Sequence, residues 1–174
     1  MTGKKFFNAI ANGKSDILQI FLDILVKTGT SYCVIGGLAV NAYVEPVVSL
    51  DLDIVVKASE LEKVYKNATK RGFKTEKFEH SVNLTKSGSD LRIQLQTDAR
   101  YQEFIQRARP KKILGYKLKV AALEDVLQGK SWAYLDEARR RSKRQKDLAD
   151  IIRLLEAYPE LETKIPAAVR KKIK

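Results

Sequence analysis

The stretch from Tyr32 to Val56 limits the folds open to this chain more than any other. It begins with a short apolar run, Tyr32-Cys33-Val34-Ile35, that stops at the paired glycines Gly36 and Gly37, after which Leu38 to Tyr43 can begin a helix. A short connection leads to Ser49-Leu50-Asp51-Leu52-Asp53-Ile54-Val55-Val56, an apolar strand pattern that carries two carboxylates. Side chains alternate across a strand, so Asp51 and Asp53 share one face while Leu52, Ile54 and Val56 take the other. Two carboxylates about 7 Å apart on one strand face repel each other, and burying them unpaired is costly. A divalent cation resolves both problems. Mg²⁺ (or Mn²⁺) suits the spacing, because Mg²⁺ accepts one or two carboxylates and fills its octahedron with water and substrate phosphates.

The 174 residues are enough for one domain with a proper core. We expect a core over residues 1–120 and a helical C-terminal portion over 121–174, ending in a basic tail. No run approaches the roughly 18 apolar residues of a membrane span, and Met1 to Phe7 lacks the apolar centre of a secretory signal. A cytoplasmic location with no membrane partner is the expectation. The single cysteine, Cys33, excludes an internal disulfide and any cysteine-rich metal site, and the single histidine, His80, excludes a histidine-pair site. A net charge of +12 points towards polyanionic partners such as nucleotides, RNA or an acidic protein.

Along the chain, Ser15 to Lys27 has a helical apolar period, with Ser15 as N-cap and Gly29 as stop. Lys57 to Arg71 reads as a helix closed by Gly72. Phe73 to Phe78, Ser81 to Thr85 and Leu91 to Thr97 read as strands. Asp98 caps a helix over Ala99 to Ala108 that Pro110 ends, and Tyr116 to Val120 is extended. Leu123 to Gly129 and Tyr134 to Tyr158 follow as helices, the second with a stripe of Leu148, Ile151, Ile152 and Leu155 that continues backwards into Arg144 and Arg141. The order predicts an α+β fold: a small mixed β-sheet flanked by helices, with a helical C-terminal portion.

Three places carry chemistry. Gly36-Gly37 serves either as a positive-φ turn or as a close approach of backbone N–H groups to phosphate. Asp51 and Asp53 either reach solvent at a strand edge or hold a metal, and the apolar residues on both sides favour the metal. The third is Asp125 with Lys130, followed by Arg144 and Asp147-Leu148-Ala149-Asp150-Ile151 on the long helix, where a cationic face continues an apolar one.

Together these motifs resemble the AbiEii-type and MenT-type nucleotidyltransferases of the polymerase-β-like superfamily, over roughly residues 30 to 155. The resemblance implies that Gly36, Gly37, Ser49, Lys130, Arg144 and Asp147 bind the nucleotide. It also implies that Asp51, Asp53 and Lys130 are catalytic, with the metal on Asp51 and Asp53. The implied activity is metal-dependent transfer of a nucleoside monophosphate from a nucleoside triphosphate such as ATP to an RNA (tRNA) or protein hydroxyl. A role as the toxin of a toxin–antitoxin system, with an antitoxin protein as partner, goes with it. Two positions depart from the family pattern. Val47 stands where an Arg is common, and Gln94 stands where a third carboxylate is expected. Asp90 or Asp98 replaces that carboxylate if the strand register is different. The alternative is an impaired nucleotidyltransferase-fold module that binds nucleotide, RNA or a partner protein.

Overall fold

A computed structural model describes residues 2–173. Its centre is a seven-stranded mixed sheet built from β1 (Tyr32–Ile35), β2 (Asp51–Val56), β3 (Lys74–Lys77), β4 (Ser81–Thr85), β5 (Arg92–Gln96), β6 (Arg109–Ile113) and β7 (Tyr116–Val120). The strand order is β3-β4-β5-β2-β1-β7-β6. The β2–β5 and β1–β7 pairs are parallel and the other pairs antiparallel. Helices complete the α+β architecture predicted from the sequence: α1 (Gly3–Ile10), α2 (Ile17–Lys27), α3 (Gly36–Val40), α4 (Leu61–Lys70), α5 (Phe104–Arg107), α6 (Leu123–Leu135), α7 (Arg141–Ala157) and α8 (Ala167–Ile173).

Register divides the sheet into two unlike faces. Val34, Leu52, Ile54, Val56, Ile93, Leu95, Leu118 and Val120 share one face and are all buried. Tyr116 of the same face meets Phe7 of α1 edge-on and donates its hydroxyl proton to Asp16 Oδ1 at the start of α2. The opposite face carries Asp51, Asp53, Arg92, Gln94 and Gln96 in alternation with that core. Hydrophobic burial at about 25 cal/mol per Å² on the first face thus fixes the register that displays the polar row on the second. A slip of one residue would bury both carboxylates.

Several local features differ from the sequence reading. Asp16, not Ser15, caps α2, its Oδ1 accepting the Gln19 N–H at 3.0 Å. The stretch after Asp98 is a 3₁₀ turn, Ala99–Tyr101, followed by the four-residue α5. Pro110 lies within β6, an edge strand, where a missing N–H is tolerated. Leu114 and Gly115, both at positive φ (49° and 85°), make the two-residue β6–β7 turn. Helix α6 runs straight through Gly129, because a side chain there would meet Tyr101 at 3.2 Å and Phe104 at 3.7 Å. The glycine admits an aromatic pair and does not end the helix. Helix α7 begins at Arg141, and its buried stripe is Asp147, Asp150, Ile151 and Leu154, with Ile152 turned outwards. The basic tail forms α8, with Val169 buried and Arg170 Nη2 donating to the carbonyls of Thr163 and Ile165.

Candidate functional site

Strand β1 delivers the chain to Gly36 directly beside Asp53, since Ile35 and Asp53 are partners across the β1–β2 ladder. Gly36 has φ +69°, and a Cβ there would stand 2.8 Å from both Cβ and Cγ of Asp53. Only glycine fits: the carboxylate side chain occupies the space a side chain would need. Gly37 is different, because its Cβ would rest in ordinary contact, 3.5 Å from Ser49 Oγ. Ser49 is buried beneath that turn, and its hydroxyl bridges the backbone N–H (3.4 Å) and carbonyl (3.3 Å) of Asp51, fixing the start of β2. No side chain caps the start of α3, which leaves its leading N–H groups without a side-chain acceptor.

Asp53 opens onto a cavity of about 70 Å³ that also takes in Gly36, Gln94, Lys130, Arg139 and Asp147. That is room for several waters. Protein surrounds the Asp53 carboxyl even though it has some surface towards the cavity. This burial pushes its pKa up, and neighbouring Asp51 adds to the rise while Lys130 opposes it. Asp51, nearer the rim, behaves in the opposite way. Burial pushes it up, but Arg92 and Lys143 outweigh the burial and hold it below the usual carboxylate range. Arg92 donates from Nε (3.0 Å) and Nη2 (2.7 Å) to Asp51 Oδ1, and Lys143 Nζ reaches Oδ2 at 3.2 Å.

The third motif closes the cavity from the helical side. Lys130, 7% exposed on α6, donates to Asp147 Oδ1 at 2.8 Å and lies 2.7 Å from Asp150 Oδ2. The second contact is ionic and off-axis, so Asp150 Oδ2 keeps a charge partner without an aligned hydrogen bond. Burial disfavours the ammonium, but the two carboxylates prevail and raise its pKa. Arg139 completes the cluster by donating to Asp147 Oδ2 at 2.8 Å. Asp125 holds Arg107 through two hydrogen bonds of 2.9 and 2.8 Å.

The structure therefore brings Gly36, Asp53, Lys130 and Asp147 together on one cavity, with Asp51 at its rim and Gly37 and Ser49 beneath. Arg144 is not among the cavity-lining residues: its Nε donates to the Tyr134 carbonyl at 2.7 Å and its guanidinium lies over the Tyr134 ring. The cations in contact with the acidic pair are Arg92 and Lys143, both on Asp51, while Arg139 lines the cavity on Asp147; the sequence reading passed over Arg139 and Lys143. Trp132 packs edge-on to Tyr101 and stacks on Phe104, among the aromatic rings beside the cavity. Gln94 is the register partner of Asp53 on the neighbouring strand β5. Neither alternative carboxylate replaces it, since Asp90 accepts from Asn12 at 2.5 Å and Asp98 is held by Arg100 at 2.7 and 2.9 Å. Val47 is exposed, and its backbone is held by Asn41.

Among the described residues no cluster of three or more metal-ligating side chains exists. No helix among them is long and apolar enough to cross a membrane. No protein-family model matches the sequence, and no curated protein matches it. Solved structures do resemble it. The solution structure of the antibiotic-resistance factor ANT(2'')-Ia matches with a TM-score of 0.64 at 10% identity, over 89% of this chain and 88% of that one. The lincomycin-bound lincosamide antibiotic adenylyltransferase LnuA gives a TM-score of 0.56 at 13% identity, over 82% and 98%. An antigenic nucleotidyltransferase-like protein from Paracoccidioides brasiliensis gives 0.53 at 19%, over 80% and 74%. At such identities the likeness is one of architecture: this chain has the nucleotidyltransferase fold.

Proposed function

We propose that the chain is a nucleotidyltransferase that moves a nucleoside monophosphate from a nucleoside triphosphate to a hydroxyl of RNA, tRNA included, or of a protein. The observation that carries this reading is the cradle in which Asp53 lies against Gly36 on the same cavity as Lys130. In this reading residues 1–120 supply the acidic pair and the glycine turn, and residues 121–174 close the pocket over them.

The donor set fits one divalent ion. Asp53 and Asp51 Oδ2 are two carboxylate donors on one strand face, and phosphate oxygens and water complete the shell that Mg²⁺ or Mn²⁺ prefers. Only Lys143, on a flexible stem, competes for Oδ2. Such an ion neutralises the triphosphate tail as charge develops on it. The chain's own groups do the rest. Backbone N–H groups at Gly36 and Gly37 meet the phosphates, Arg139 and Lys143 oppose their charge, and Lys130 with Asp147 holds α6 against α7. The acceptor oxygen bonds to the α-phosphorus while the bond to the β-phosphate oxygen breaks. Pyrophosphate leaves with the electron pair, and the hydroxyl proton passes to water. Because the transition state is loose, positioning and electrostatics carry most of the catalysis.

A second reading, a module that binds nucleotide without turnover, is favoured by the uncharged Gln94 and by the cations already on Asp51. Incubation with each α-labelled triphosphate, Mg²⁺ or Mn²⁺, and bulk tRNA or protein separates the two. Transfer of label that disappears in Asp51→Ala and Asp53→Ala supports the enzyme, and retention of triphosphate without transfer supports the module. A toxin role predicts growth arrest on expression that Asp53→Ala relieves and that a co-expressed antitoxin suppresses.

A further inference from the structure

Two-metal phosphoryl transfer places one ion on the triphosphate side and one beside the attacking oxygen. In this chain the second position is filled from within. The β2–β5 register sets Arg92 opposite Asp51 and Gln94 opposite Asp53, so the strand that faces the acidic pair presents a cation and a neutral amide. The guanidinium sends two N–H groups to Asp51 Oδ1, while Oδ2 is held by the longer, single contact from Lys143. Arginine does not lose its proton in proteins, and its two donors on one oxygen make a charge-assisted, geometrically fixed pair. A divalent ion can take the place of the lysine. At Oδ1 it would meet a permanent positive charge within bonding distance of the same oxygen, and no carboxylate on β5 to offset it. Asp90 and Asp98, which flank that strand, are engaged by Asn12 and Arg100.

We propose that Arg92 stands, as a built-in cation, where a second metal ion would otherwise sit, so that this site works with one divalent ion per chain. The proposal rests on the nucleotidyltransferase reading above. Arg92 is a positioning residue: it fixes the Asp51 carboxylate and supplies positive charge on the acceptor side, but it cannot ionise the attacking hydroxyl. A loose transition state tolerates this, because bonding to the nucleophile is slight when the leaving bond breaks.

The test counts ions. The purified chain is titrated with Mn²⁺ and a non-hydrolysable α,β-methylene triphosphate of each base, and bound Mn²⁺ is measured by electron paramagnetic resonance. Wild type is expected to bind one Mn²⁺ per chain with the analogue, and Arg92→Ala/Gln94→Asp is expected to bind two. Both side chains are partly exposed, and circular dichroism verifies that the double variant is folded. Two ions in the wild type overturn the inference without reference to any variant, as does a folded double variant that still binds one. Failure to bind any of the four analogues overturns the nucleotidyltransferase reading itself, which keeps the two failures apart.

Discussion

Alanine at Gly36 and at Gly37 should have opposite effects on stability, although the two glycines are adjacent. At Gly36 the φ of +69° costs a β-carbon about 1–2 kcal/mol in the left-handed region. The new atom also falls 2.8 Å from Cβ and Cγ of Asp53, which must move within a packed strand. Overpacking of this kind adds about 1–3 kcal/mol, so the total is roughly 2–5 kcal/mol. At about 2–4 °C per kcal/mol for a chain of this size, the melting temperature should fall by roughly 4–20 °C. At Gly37 the new Cβ rests 3.5 Å from Ser49 Oγ, in ordinary contact, on the side away from the cavity. Alanine there gains about 0.5–1 kcal/mol of helix propensity. Thermal unfolding followed by circular dichroism, with triphosphate binding measured in parallel, gives the answer. Gly37→Ala should be at least as stable as wild type and bind with unchanged affinity, and Gly36→Ala should lose both. Equal damage from the two substitutions would refute the claim that the first glycine alone is required by Asp53.

The acidic pair should respond to neutralisation with opposite signs in metal-free buffer. Asp53 titrates above its ordinary value in the fold, so native protein binds the extra proton, and stability falls as pH rises from the unfolded to the folded pKa. Asp53→Asn should therefore raise stability at neutral pH, by about 1.4 kcal/mol for every tenfold difference in proton affinity between the folded and unfolded chain. Asp51 titrates below its ordinary value, so its contribution is present at neutral pH and lost as pH falls through the folded pKa. Asp51→Asn should lower stability by about 1 kcal/mol, and urea unfolding between pH 3 and 8 tests both signs. Lys130→Ala leaves Asp147 and Asp150 buried with one arginine each, and should cost about 3 kcal/mol. A loss below 1 kcal/mol in thermal unfolding would contradict that. Lys143→Ala should tighten Mn²⁺ binding by up to roughly fivefold by freeing Asp51 Oδ2. Arg144→Ala should leave Mn²⁺ binding unchanged and cost about 1–2 kcal/mol through the orphaned Tyr134 carbonyl.

Much of the fold was legible because its signals are local. The apolar run into Gly36, the alternation around Asp51 and Asp53, and the strands at Ser81 and Leu91 each announce themselves within a few residues. Strand β6 does not, because Arg109-Pro110-Lys111-Lys112 has no apolar alternation and is held in place by pairing with β7. Its turn, Leu114-Gly115, lacks the Asn-Gly signature of a two-residue hairpin. Gly129 was read as a helix stop because glycine often is one, and the aromatic rings that require it there belong to another segment. The apolar stripe of α7 holds at Leu148, Ile151 and Leu155, which pack on the core, and fails at Ile152, which is exposed. Asp147 and Asp150 are buried beside that stripe because Lys130, seventeen residues before Asp147, pairs with both, a contact that nothing local in the sequence signals.

The way α7 packs also decides which cations lie near the candidate site. Arg139, Arg140, Arg141, Lys143 and Arg144 are indistinguishable by composition, and the break between α6 and α7 sets their phase. The phase turns Lys143 to Asp51, Arg139 to Asp147 and Arg144 away to Tyr134. Lys130 and Arg139 are paired with Asp147, and Asp51 with Arg92 and Lys143, whereas Asp53 makes no ion pair among the described residues. The weakest link is the 3.2 Å contact between Lys143 and Asp51, whose side chains are 36% and 25% exposed. The bidentate hold of Arg92 and the buried Lys130 cluster are stronger. On the proposed reading, a divalent ion that took the place of Lys143 on Asp51 would free an ammonium beside the acidic pair. The exchange that would admit the ion would then also release a cation to oppose the charge of the phosphates.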